Sequence, residues 1–355
     1  MNNLFALGFN QAFIEYIKKN NLEEFSAGRV AQQHKDSYIV LTREGNKRAV
    51  ITGNLRYSVS AKTDLPVVGD WVLLIASDDL YLIYQVLPRY SKLERQAVQR
   101  TGDSQLIAAN IDHALIVQSV DQNFNLNRLE RYISICHAGN IGPVLVFNKT
   151  DLLSGDQLNE LISHVGRRLP GVPLMTATTV VKNGALDLLK SLKPQKTYCL
   201  VGSSGVGKSS LINAMMQQAV MKTSEISSLH QKGKHTTTHR ELFVLHNGPL
   251  IIDTPGMREL GVTEDEASIR QTFELIDSLS ENCRFTDCTH TDEPDCAVLQ
   301  AIEEGQLDAL SLKNYGKLQR ESQRFEASKA NKRKKDKAMG KMYKEVMKMK
   351  NKRKF

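Results

Sequence analysis

The sequence predicts a multidomain chain: a small β-barrel, then an α/β domain built around a phosphate-binding loop, then a helical domain gathered round a metal site. Three observations carry this. Short alternating apolar segments fill residues 28–93, and from Asp112 onward strand-like and helix-like segments alternate. Between Cys283 and Cys296, three cysteines and one histidine fall within 14 residues.

In chain order, residues 1–27 form an extension with one short helix expected over Asn10–Asn20, since Phe13, Ile14 and Ile17 share a side. Residues 28–100 hold about five short strands separated by turn residues (Glu44-Gly45-Asn46, Pro66, Gly69-Asp70), which suggests a small barrel, an OB-like one being a candidate. Ser91–Asn110 is polar and basic, so a linker or mobile loop is expected there. Over 101–267 the rhythm of buried strand and amphipathic helix implies a mainly parallel sheet covered on both faces. Residues 268–327 read as helices around the Cys/His cluster, and 328–355 as a basic tail, disordered or a solvated helix.

Composition narrows the classes. With 41% hydrophobic and 24% charged residues the chain is that of an ordinary soluble protein. No apolar run approaches the ~20 residues of a membrane span, and the N-terminus has no basic region leading into an apolar core, so a cytoplasmic protein without membrane contact is expected. Five cysteines, three of them clustered, do not form a disulfide framework. Lys313–Phe355 carries 17 Lys/Arg against 4 Asp/Glu, which leaves the other 312 residues at −5 in a chain of net +8. Positive charge confined to one end points to a polyanionic partner.

The chemistry centres on Gly202-Ser203-Ser204-Gly205-Val206-Gly207-Lys208-Ser209-Ser210, which fits G-x-x-x-x-G-K-[ST] without mismatch. Glycines let backbone N–H groups close round phosphate oxygens, and the following helix adds its positive end. Lys208 supplies a charge for the β/γ-phosphates, and Ser209 a hard oxygen for Mg²⁺.

Four further elements make this a guanine-nucleotide switch. In Asn148-Lys149-Thr150-Asp151 the Asp151 carboxylate can accept both guanine N1–H and its 2-amino group, whereas adenine would leave it buried and unpaired. Asn148 would hold the loop and base edge, and the Lys149 stem would cover the ring. Asp253 and Gly256, in Asp253-Thr254-Pro255-Gly256, suit an outer-shell Mg²⁺ contact and a γ-phosphate N–H contact. Thr237, in the polar segment Thr223–Arg240, suits a Mg²⁺ ligand recruited with the γ-phosphate. Thr176-Ala177-Thr178 at a strand end suits a backbone contact to guanine O6. The position after Asp253-Thr254-Pro255-Gly256, where many GTPases carry a water-orienting Gln, is Met257, so slow unassisted hydrolysis is expected. His235 is the candidate to position water in its place, against the plainer reading of a loop histidine. Cys283-x4-Cys288-x-His290-x5-Cys296 matches a closed structural Zn²⁺ site.

The order of these motifs, with the base loop before the phosphate loop, is a circular permutation of the usual arrangement. Preceded by a barrel and followed by the Cys/His cluster, it resembles the ribosome small subunit-dependent GTPase A (RsgA) family over about residues 28–310. The resemblance implies an N-terminal OB-like β-barrel, an α/β circularly permuted P-loop GTPase domain and a C-terminal α-helical zinc-binding domain. It implies a GTP hydrolase, with Lys208, His235 and Thr237 catalytic, stimulated by the small ribosomal subunit and acting late in its maturation. The partners expected are GTP/GDP and that subunit with its rRNA, and the protein itself is expected to be a monomer. The rival readings are an RNA-binding assembly placeholder with incidental hydrolysis, and a P-loop ATPase or kinase, against which Asn148–Asp151 argues.

Overall fold

The structure, a computed structural model, describes residues 3–58, 62–77, 80–96, 104–181, 184–221, 240–245, 248–253 and 265–352. The chain begins with a 3-10 turn, Leu4–Leu7, and helix α1, Gln11–Lys19, whose Asn10 side chain caps the Phe13 N–H. Neither is a free arm. Phe9 stacks on Phe13 with centroids 5.4 Å apart, and both pack on the fully buried Trp71 at 4.8 and 5.9 Å.

Five strands close a barrel: β1 (Ser26–Gln33), β2 (Tyr38–Thr42), β3 (Gly45–Ile51), β4 (Trp71–Ser77) and β5 (Leu80–Val86), with helix α2 (Gly53–Ser58) after β3. They neighbour one another in the order β1-β2-β3-β5-β4, and β4 returns to pair with β1 through Arg29↔Trp71 and Ala27↔Leu73. Every pair is antiparallel except β3–β5. Alternation supplies the lining, Val30, Val40, Val72, Leu74 and Ile83, which meet as one apolar cluster.

The polar connector is not a loop where the structure describes it. β6 (Lys92–Gln96) and β7 (Ser104–Ala109) form an antiparallel pair. Leu93, Leu106 and Ala108 are buried while Arg95 bonds to Gln105 near the surface. The apolar side chains, few as they are, fall where a strand needs them, and the linker expectation weighed average polarity instead.

The α/β domain follows: β8 (His113–Ser119), α3 (Leu126–Ala138), β9 (Gly142–Asn148), α4 (Gly155–Arg168), β10 (Leu174–Thr176), α5 (Leu186–Ser191), β11 (Thr197–Val201), α6 (Lys208–Met221), β12 (Glu241–Val244) and β13 (Leu250–Asp253). The strands lie in the order β10-β9-β8-β11-β13-β12, parallel except for β12. β12 pairs with β1 at Glu241↔Gln32, joining sheet to barrel. Arg29 of β1, only 1% exposed, reinforces that junction by donating to Leu7 O, Gly69 O (3.3 Å), Asn110 O (2.9 Å) and Thr197 Oγ1 (2.8 Å). Burial lowers its guanidinium pKa, and the four acceptors compensate for lost water.

Helices α7 (Glu266–Thr272), α8 (Glu274–Ser280), α9 (Ala297–Glu303) and α10 (Ala309–Lys352) complete the chain around Ile269, Phe273, Ile276, Val298 and Leu318. They dock on α3. Glu130, fully buried, accepts from Arg168 Nε (2.7 Å), Ser311 Oγ (3.0 Å) and Asn314 Nδ2 (2.6 Å). Arg168 also reaches Asp308 at 2.9 Å, and Arg131 reaches Glu321 at 2.7 Å. The basic tail continues α10, whose 44 residues make a rod about 66 Å long. Among the described residues no helix is long and apolar enough to cross a membrane.

Candidate nucleotide site and metal centre

Sheet order chooses the site. From β8 the chain moves outward through β9 to β10, and from β11 it moves the other way to β13. The crevice beyond the carboxyl ends of β8 and β11 is therefore the topological switch point, where α/β sheets bind ligands.

The glycine-rich Gly202–Ser210 stretch, expected to bind phosphate, lies there, joining β11 to α6. Gly202 has φ +149°, and a Cβ on it would stand 2.3 Å from Val117 O of β8. Gly207 has φ +92°, and a Cβ there would meet Asn148 Nδ2 at 2.3 Å. Both positions need glycine for conformation and for space. Val206 is buried and pins the loop, while Ser204, Gly205, Ser209 and Ser210 face outward and Ser203 is half-buried. Lys208 Nζ lies 2.6 Å from both Gly202 O and Ser203 O, so its charge is held against the loop.

Asn148 ends β9 and is 1% exposed. Its Nδ2 donates to Val206 O at 2.8 Å, and its buried Oδ1 has no hydrogen-bond partner among the described residues. Lys149 takes the left-handed conformation (φ +61°) and its ammonium lies 2.9 Å from Asp121 Oδ2. Asp121 also accepts from Ser119 Oγ (2.8 Å) and Asn123 N (3.0 Å). The Lys149 hydrogen bond, ahead of these, holds the Asp121 carboxyl down to about 2.

Thr150 Oγ1 donates to Ala177 O at 3.2 Å, Thr178 Oγ1 donates to Asp151 Oδ1, and Ala177 N donates to Phe147 O at 2.8 Å. The two loops at the ends of β9 and β10, the latter starting at Thr176, are thus stitched together. Asp253 ends β13, paired with β11. His235, Thr237, Gly256 and Met257 lie outside the described residues.

The metal-type cluster sits between α8 and α9, and its four ligand atoms all fall within 4.8 Å of one another. Cys283 Sγ is 3.8 Å from Cys296 Sγ and 3.6 Å from His290 Nδ1, which is 3.4 Å from Cys296 Sγ. Ligands on a tetrahedral zinc, with Zn–S near 2.3 Å and Zn–N near 2.1 Å, stand about 3.5–3.8 Å apart. Cys283, Cys288, His290 and Cys296 can hold a metal ion, and Glu293 braces their loop by accepting from Thr289 N (2.7 Å) and Thr291 N (2.9 Å). Cys136 and Cys199 are buried in the core, and burial raises both thiol pKa values, that of Cys199 to about 12.

Two residues of the site escaped the sequence reading. Asp121 lies just past the end of β8, and Arg128 in the first turn of α3 reaches Ser203 Oγ at 3.1 Å. No local motif marks either. The usable signal was the switch point itself, because β8 must end beside the phosphate loop.

The chain is similar to known proteins in sequence and in fold. The family model described as RsgA GTPase matches residues 86–263. The chain is 40% identical over 352 residues to a "Small ribosomal subunit biogenesis GTPase RsgA 1" of Bacteroides thetaiotaomicron, covering 98% of each. It is 42% identical over 296 residues to a protein of the same name from Oceanobacillus iheyensis, covering 82% of this chain and 84% of that one. Its fold is similar to that of YjeQ from Thermotoga maritima, at TM-score 0.63 and 25% identity, covering 84% of this chain and 98% of the other. It is also similar to YloQ, described as a circularly permuted GTPase, at TM-score 0.59, 25% identity and 84% and 95% coverage. The Asn148 loop precedes the Gly202–Ser210 loop in sequence yet bonds to it in space, and the chain belongs to the RsgA GTPase family.

Proposed function

We propose that this GTPase hydrolyses GTP to GDP and phosphate while bound to the small ribosomal subunit, and that it acts late in that subunit's maturation. The observation that carries the nucleotide reading is the 2.8 Å bond from Asn148 to Val206, which holds base loop and phosphate loop in one rigid relation. Asp151 selects guanine, with Asn148, Lys149 and Thr150 shaping the base pocket and Ala177 offering its backbone. Residues 202–210 cradle the phosphates. Ser209, with Thr237, would hold Mg²⁺, which would supply neutralisation of the phosphate charge. Asp253 would support that ion, Gly256 would meet the γ-phosphate, and His235 would orient water.

Zinc in the Cys283/Cys288/His290/Cys296 site is structural, since four protein ligands leave no position for water. The small-subunit assignment follows from the names of the relatives together with the basic end of the chain, which suits rRNA. A cytoplasmic monomer divided at residues 27, 100, 267 and 327 completes the reading.

The test is GTP turnover titrated with purified small subunits. At least ~10-fold stimulation is expected, with His235→Ala losing most of it while binding nucleotide normally. Turnover indifferent to subunits would favour the assembly placeholder, and a preference for ATP in competition would overturn the guanine assignment.

A further inference from the structure

We propose that Arg128 is a second phosphate-binding cation of this site, directed at the γ-phosphate side of the nucleotide. The proposal rests on residues 202–210 being the nucleotide's phosphate loop.

Arg128 enters the site from a fixed base. Its own N–H is taken by the α3 cap, Asn125 Oδ1, at 3.0 Å. One turn on, α3 is anchored to α10 through Glu130–Asn314 (2.6 Å) and Arg131–Glu321 (2.7 Å). From there Arg128 Nη1 reaches Ser203 Oγ at 3.1 Å and Asn123 O at 3.5 Å. Ser203 is the meeting point of two cations, because Lys208 Nζ holds its carbonyl at 2.6 Å. The lysine of such a loop reaches the β/γ-phosphates, so a guanidinium at the same residue stands at the same end of the ligand.

Charge supports the assignment. Three other cations of this domain each have an acid, Arg131 with Glu321, Arg168 with Glu130 and Lys149 with Asp121. Arg128 is half-buried and forms no ion pair among the described residues, and its Nε and Nη2 donors have no partner there. Two like charges converging on one serine repel, and a polyphosphate relieves that repulsion. A planar guanidinium suits the equatorial oxygens of a transferring phosphoryl group, whose charge grows in a loose transition state. Met257, where many GTPases carry the water-orienting glutamine, leaves more of the catalysis to charge stabilisation from elsewhere in the chain.

The experiment compares wild type, Arg128→Ala and Arg128→Lys for GTP and GDP affinity and for subunit-stimulated kcat, with melting temperature and metal content measured in parallel. In Arg128→Ala, GTP affinity should fall about 10–100-fold and GDP affinity less than about 3-fold, as expected when a charge-assisted bond to the terminal phosphate is removed. Arg128→Lys should recover part of the GTP loss, because it keeps the charge and gives up the fork. Unchanged GTP affinity in Arg128→Ala overturns the proposal. So does an equal loss for GTP and GDP that lysine does not rescue, which would make Arg128 a loop buttress. Asp151→Asn serves as the separate arm: if it too leaves GTP binding intact, the nucleotide-site reading fails, whereas its loss with a normal Arg128→Ala rejects Arg128 alone.

Discussion

Asn148 Nδ2 and Val206 O, 58 positions apart in the chain, are joined by a 2.8 Å hydrogen bond inside the protein. Removing the donor leaves a buried carbonyl unpaired, which costs about 1–3 kcal/mol. Asn148→Ala should therefore weaken GTP and GDP alike by about 5- to 100-fold, because it loosens the relation between base and phosphate loops. Fluorescent-nucleotide titration reads this directly, and a loss confined to GTP would contradict it.

The Asp121–Lys149 pair makes a pH prediction. The folded carboxyl is depressed to about 2. The pair's contribution is therefore complete above the ordinary carboxylate range near 4 and fades only as pH falls toward 2. Nucleotide affinity should show no Asp121-dependent change between about pH 8 and pH 5. Asp121→Asn should weaken binding about 2- to 5-fold across that range, the scale of a partly exposed ion pair. A fall in wild-type affinity over the same range that Asp121→Asn abolishes would count against this account.

Cys288→Ser should release the metal and unfold the segment between α8 and α9, since a closed thiolate site contributes ~10 kcal/mol or more to local folding. Metal analysis of native protein should find one zinc per chain. Native protein lacking stoichiometric zinc would sink the assignment.

Deleting the residues after Ala327 removes 13 Lys/Arg, 11 of them in the far part of α10. The truncated protein should need more small subunit for half-maximal stimulation. Its binding should also depend less steeply on salt, the log–log slope falling by roughly 0.7–0.9 for each phosphate the helix no longer neutralises. Equal binding at every salt concentration would show that this helix does not track the rRNA backbone.

Local pattern was enough for much of the molecule. The five barrel strands, the buried run of β8 and the amphipathic α3 follow from side-chain period, which the backbone geometry of strand and helix imposes on neighbouring residues. The positive φ and the lack of room for a Cβ at Gly202 and Gly207 were legible because the turn pattern calls for glycine there, and the gathering of Cys283–Cys296 because its Cys and His residues recur at short spacing. His235, Thr237 and Gly256 rest on sequence, as they lie outside the described residues.

Other features depended on partners distant in the chain. Whether residues 92–96 and 104–109 were linker or strand turned on burial of Leu93 and Ala108 under elements that the local sequence does not contain. Arg29 and Glu130 break the rule that charge stays outside, and only the assembled acceptors Thr197 and Asn110, or the donors Arg168, Ser311 and Asn314, make that burial tolerable. Asp121 and Arg128 join the site because sheet order brings the end of β8 beside β11. The sequence by itself determined which segments can form strands, the glycine-rich turn and the Cys/His knuckle, since those depend on neighbours along the chain. The tertiary structure alone decided which polar groups face one another, since a charge is stabilised by whatever stands within a few ångströms, at any separation in sequence.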